Sequence, residues 1–351
     1  LGSPLQAANR YLLRGQFGLR AGWSVALFVT LVTLAGGVFG LDPLGVITRL
    51  EAGTRAVSSS QSSGADGSAA VHRHDIQPGS AVIGETLTFA IVIGVSLGLS
   101  FVEGRRVSVY GINRANVLDF FPGAFWGLAT LSLLVVALHA SHVLFFDARM
   151  LHGPAIYLYG LKWMLVFLFV GLTEEYITRG FLQFTLTRGL MGLGSMLSPG
   201  HARAVAFWIA AIVMSAIFAA LHLGNPGETA PGIAMVFLAG MLFSYALWRT
   251  GSLWWAIGFH MTWDWAQSFL WGVPDSGGLS AGRLFQTHVA GNVWLSGGAD
   301  GPEGSVLVLP TLLLVALVIR FTAKVRPQPP LQPGTDHFSS QHPELQASPM
   351  A

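Results

Sequence analysis

Apolar residues in this chain of 351 do not alternate with polar ones; they come in long blocks separated by short polar stretches. Crossing ~30 Å of hydrocarbon takes about 20 mostly apolar residues in a helix. Eight blocks approach or exceed that length: Trp23–Leu41, Ser80–Phe101, Phe120–Phe145, Ile156–Phe184, Val205–His222, Gly232–Leu247, Ser252–Trp271 and Ser305–Phe321. Each is predicted to be helical, because lipid offers no partner for a free backbone N–H or C=O. The pattern predicts an all-α fold, a polytopic membrane bundle of about eight transmembrane helices. It divides into an N-terminal segment (1–22), a membrane domain (23–322) with its motif-bearing core at 155–272, and a tail (323–351) whose Pro, Gln and Ser content predicts disorder.

With eight spans, both termini share one side of the membrane. Placing them in the cytoplasm puts Arg10, Arg14, Arg20, Arg105, Arg106, Arg114, Arg188, Arg203, Arg249, Lys324 and Arg326 inside, against Arg49, Arg55, Arg73, Arg149 and Arg283 outside. The excess of inside bases favours that orientation, with the cell's inner membrane as the expected location. Composition agrees: 52% of residues are hydrophobic and only 10% charged, with a formal net charge of +2. The bases are scattered through loops and form no patch, so no nucleic-acid partner is expected. Expected partners are the lipid bilayer and a membrane-associated peptide or protein. The absence of cysteine excludes disulfides, thiolate metal sites and a cysteine nucleophile.

Against this background the stretch GLTEEYITRG, residues 171–180, is out of place. Ionisable groups at membrane depth cost about 2.5–3.5 kcal/mol each, so three in six residues need partners or a task. Glu175 and Arg179 stand four apart with the acid first, the favoured order for a pair on one helix face. Glu174 lies ~100° further round the helix and is left to face a cavity. Burial makes such a carboxylate a stronger base and a candidate general base toward water; a structural knot of charges is the alternative. Two further blocks carry polar pairs at helical spacing: Phe218 and His222 in FAALH, and His260 and Asp264 in HMTWD.

EEYITR, FAALH and HMTWD resemble, in the same order, the E-E-x-x-x-R, F-x-x-x-H and H-x-x-x-(Asn/Asp) signatures of the CPBP family. This family comprises type II CAAX prenyl endopeptidases and bacteriocin-processing or immunity proteins. The resemblance implies an intramembrane endopeptidase in which Glu174 activates water, His222 assists, and His260 with Asp264 forms the oxyanion side. Glu175, Arg179 and Phe218 would support the site structurally. It implies a metal-free mechanism in preference, with zinc held by Glu174, His222 and His260 as the alternative. Asp264 stands where an Asn would be the simpler hydrogen-bond donor. The rival from another class is a proton-coupled transporter or a non-catalytic membrane partner using the same charges.

Other polar residues are weighed less. His139 and His142, and His72 and His74, lack an acid or thiol at ligand spacing. Glu85 stands near the start of the second span. Trp263 and Trp265 flank Asp264 and are candidates to shape a groove.

Overall fold

The computed structural model describes residues 13–15, 17–42, 75–225 and 228–333. Arg10, Arg49, Arg55, Arg73, His72, His74, the Ser/Gly/Ala stretch at 56–70 and the tail beyond 333 lie outside the described residues. Each of the eight apolar blocks forms a helix: α1 (Ala21–Val38), α2 (Pro78–Glu103), α3 (Phe120–Ala140), α4 (Pro154–Glu175), α5 (Ala202–His222), α6 (Ala230–Thr250), α7 (Trp254–Trp265) and α8 (Val308–Thr322). The protein is thus a polytopic helical membrane bundle. Among the described residues, six helical stretches are long and apolar enough to cross a membrane.

The other two differ from the expected spans. α8 has 15 residues. α7 has 12 and continues as a π-helical turn over Ala266–Leu270. Nine residues of α7, Trp255 through Met261 with Trp263 and Asp264, are buried, so it is a core helix enclosed by its neighbours rather than a lipid-facing one. The third block also ends early, at Ala140. Its remaining apolar residues enter a strand, β1 (Leu144–Arg149), paired antiparallel with β2 (Phe285–Val289). Phe and Val in this run suit a strand once the chain turns at Ser141 and His142, where His142 adopts φ 57°.

α7 owes its position to glycine. Gly123 and Gly127, four apart on α3, face α7 so closely that a Cβ on them would meet Trp255 O at 2.1 Å and Phe259 O at 2.3 Å. Thr262 of α7 then donates its hydroxyl to Ala124 O across the same crossing at 2.7 Å. Small residues at this spacing let helix backbones touch, which sets the depth and rotation of everything α7 carries.

α4 does not stop at its glutamates. It runs through a π-helical segment, Tyr176–Leu182, into Gln183–Gly189, giving a continuous 36-residue helix. At 1.5 Å per residue that is ~54 Å, well beyond the ~30 Å hydrocarbon, so Glu174 lies near mid-length instead of at an end. Residues 323–333, assigned to a disordered tail, instead lie against the bundle. Arg326 pairs with Asp119, Gln328 Nε2 donates to Trp248 O at 2.7 Å, and Arg105 Nη1 donates to Leu331 O at 2.7 Å.

Candidate active site

The site grows from the middle of the long helix that α4 opens. Arg179 Nη1 donates to Glu175 Oε1 at 3.0 Å, and both side chains are wholly buried. The guanidinium is also covered by aromatic faces, 4.1 Å from the Phe218 ring centre and 5.4 Å from that of Phe243. Such cover lets a desolvated arginine keep its charge.

The same Glu175 Oε1 accepts a second hydrogen bond, from His260 Nδ1 on α7 at 3.0 Å. Because Nδ1 donates there, Nε2 is the nitrogen left to the cavity. It lies 3.4 Å from Asp264 Oδ2 and 3.7 Å from Glu174 Oε2. Phe243 from α6 stacks on the imidazole at 5.5 Å with an 18° interplanar angle, fixing the ring plane. Glu174 is not tied down in this way: its side chain is 38% exposed, and at 3.7 Å its oxygen is beyond hydrogen-bond reach of His260.

His222 stands at the end of α5, its Nδ1 donating to Phe218 O at 2.8 Å. A carbonyl only accepts, so this bond puts the proton on Nδ1 and leaves Nε2 as the acceptor in the neutral ring. Phe218 links the two halves of the site, lying against Arg179 and 4.8 Å edge-to-face from His222.

Glu174, His222, His260 and Asp264 all line one cavity of about 790 Å³. The expected walls, from the fourth, fifth and seventh helices, are present, and α2, α6, α8 and the 275–280 loop add others. That loop is held by Ser268 Oγ donating to Asp275 Oδ2 at 2.8 Å and by Ser276 N donating to Glu303 Oε1 at 2.5 Å. Burial, with Asp264 close by, pushes the Asp275 carboxyl well above the usual carboxylate range. Burial and Asp275 together push Glu303 up to about 8.

Several lining residues were missing from the sequence reading of the site. Ser268 had a local signal, since His260, Asp264 and Ser268 follow each other at four-residue spacing on one face. Glu85 was visible as an acid in an apolar helix, although its cavity was not. Phe243, Asp275 and Glu303 had no local signal; they arrive from α6 and from the long connection before α8. Trp263 lines the cavity, whereas Trp265 turns away, its Nε1 donating to Gly160 O at 2.9 Å.

The side chains present do not form a metal cage: among the described residues, no three His, Asp or Glu groups converge at ligand spacing. His139 Nδ1 is engaged by Leu144 O at 3.0 Å.

Fold and site together define the class, a multi-pass membrane protein with carboxylates and histidines gathered in one internal cavity. Residues 156–266 match the family model described as type II CAAX prenyl endopeptidase, Rce1-like, the group that the three motifs resemble. The matched stretch runs from α4 to the π-helical turn after α7 and contains all three motifs, and the matched family is one of proteases. The match covers about a third of the chain, and over that stretch the chain is similar to CAAX-type proteases. No curated protein and no solved structure shows a match.

Proposed function

We propose that this protein hydrolyses a peptide bond in a membrane-associated protein or peptide, with Glu174 as the base that activates water. The observation carrying this reading is that Glu174, His222, His260 and Asp264, from three separate helices, line a single cavity. Glu174 is the carboxylate with oxygens free to reach a water, and Glu175 is the one locked to Arg179 and His260.

In the proposed reaction, water gives a proton to Glu174 as its oxygen bonds to the scissile carbonyl carbon. His222, with Nε2 available, relays that proton to the departing amine as the C–N bond breaks. Doubly protonated His260, with Nδ1–H on Glu175 and its ring plane set by Phe243, offers Nε2–H to the charge growing on the carbonyl oxygen, and Asp264 lies beside that nitrogen. No step passes through a metal. The substrate would be a lipid-proximal peptide segment, and the termini would lie in the cytoplasm of a cell with this protein in its inner membrane.

The test is hydrolysis of membrane-anchored peptides by the full chain in lipid nanodiscs, followed by mass spectrometry in ¹⁸O-labelled water. Expected are two products with one labelled oxygen in the new carboxylate, formed equally with and without a strong chelator and absent from Glu174→Gln. Full activity in Glu174→Gln would refute the assignment, and loss of activity on chelation would refute the metal-free step.

A further inference from the structure

The cavity is lopsided in charge. Glu85, Glu174, Asp264, Asp275 and Glu303 line it, and no Lys or Arg does among the described residues. Arg179 is sealed behind Glu175 between two aromatic rings, with none of its side chain exposed. Arg283, on the far side of the loop, is paired with Asp75 at 2.7 Å. Behind Glu303 the excess continues: Asp300 is 1% exposed, and its ionisable neighbours are Glu228 and Glu303. The rest of the lining is apolar, with Val166, Phe167, Val170 and Leu242 among it. At about 790 Å³ the space suits a few residues of extended peptide rather than an ion.

We infer that the segment bound here has an apolar stretch next to a lysine, arginine or free amine, favoured there over a carboxylate. This rests on the endopeptidase reading above and narrows its substrate class. A cation entering this low-dielectric pocket, lined by five acids and two histidines, meets carboxyl groups that ionise against it, while a carboxylate adds one more negative group to the acid excess.

Binding is linked to protons. Glu303 faces Asp275 and Glu228, and Asp275 faces Asp264, Glu174 and His260. An arriving ammonium displaces protons held by Asp275 and Glu303, so its affinity rises with pH up to about 8.

The experiment uses the full chain in nanodiscs and peptides differing in one residue beside an apolar segment, either Lys, Gln or Glu, scanned over four successive positions. Equilibrium binding is measured with wild type and, to prevent turnover, with Glu174→Gln. The Lys peptide is expected to bind at least ~10-fold more tightly than the Glu peptide at one or more positions. Asp275→Asn with Glu303→Gln should shrink that ratio, and Asp147→Asn, on β1 outside the cavity, should leave it unchanged. Equal binding of Lys and Glu peptides at every position, or a ratio insensitive to the double substitution in folded protein, overturns the inference. If the double variant does not fold, the wild-type ratio alone decides. Cleavage is followed separately: charge preference without any cleavage removes the endopeptidase reading and keeps the selectivity, and cleavage without preference does the reverse.

Discussion

Glu103 and Glu174 are both acids carried into a membrane bundle by apolar helices, yet their surroundings are opposite. At the end of α2, Glu103 Oε1 accepts from Ser24 Oγ at 2.5 Å and from Arg188 Nη2 at 2.8 Å, while Oε2 accepts from Arg105 Nε at 2.8 Å. One carboxylate meets two guanidiniums, and all three side chains are almost wholly shielded. Arg188 Nη1 donates to Phe17 O and Leu19 O, so the cluster ties α1, α2 and the end of the long α4 helix together. Around Glu174 the count is reversed, with one arginine for several acids and a cavity where the missing partners would be. A buried carboxylate with every lone pair answered by a cation holds helices in place. One left half-exposed beside a histidine has oxygens open to a reactant.

The sharpest break between the two regions is functional. Glu174→Gln should lower kcat/KM for peptide hydrolysis by ~10²–10⁴-fold, the usual contribution of a general base, without moving the thermal midpoint in detergent. A midpoint that falls along with activity would put Glu174 in the same category as Glu103. The converse substitution, Glu103→Gln, strands two arginines in an apolar surround and should cost ~3–5 kcal/mol of stability. Thermal unfolding reads this directly, and the fraction that remains folded should retain its specific activity.

Glu175 belongs to both kinds of region, bonded to Arg179 as a structural ion and to His260 as an orienting group. Glu175→Gln weakens two charge-assisted hydrogen bonds and should cost ~1.5–3 kcal/mol in stability, with a partial loss of kcat and little change in KM. A pure stability effect with normal kcat would show that His260 does not depend on it for alignment.

The helical membrane architecture was legible in the sequence because each span has to satisfy its own backbone and therefore announces itself as a long apolar block. What the blocks could not convey was which of them would be enclosed. α7 looks like any other span by hydropathy, and it becomes a core helix because Gly123 and Gly127 of α3 admit its backbone, a contact between residues more than 120 positions apart. Gly127→Val should overpack this crossing at a cost of ~1–3 kcal/mol, with a matching fall in the thermal midpoint, and would displace His260 and Asp264 together. The site shows the same divide. Glu175 with Arg179 and His260 with Asp264 were readable because four-residue spacing makes neighbours on a helix, and the motif order supplied the family resemblance. Phe243, Asp275 and Glu303 were not, since nothing local ties residues of α6 or of the 271–307 connection to α4.

The smallest expected effect is also the one that separates the two regions by pH alone. Asp275 and Glu303 carry raised carboxyl pKa values because burial penalises the ionised forms, helped by Asp264 beside Asp275 and by Asp275 beside Glu303, with Glu303 at about 8 against an ordinary 4.5. Below about 4.5 the folded and unfolded chains bind the Glu303 proton equally, and its stabilising contribution is fully present. Between 4.5 and 8 the folded chain keeps a proton that the unfolded chain has released, so stability falls as pH rises, and it levels off above 8. The thermal midpoint of the full chain should therefore drop by a few degrees between pH 5.5 and 8.5. Glu303→Gln, which cannot ionise, should flatten part of that slope, whereas Glu103→Gln should lower the whole curve without flattening it. A slope that survives Glu303→Gln intact would place the proton-linked groups elsewhere and remove the distinction between an acid-rich cavity and an ion-paired clamp.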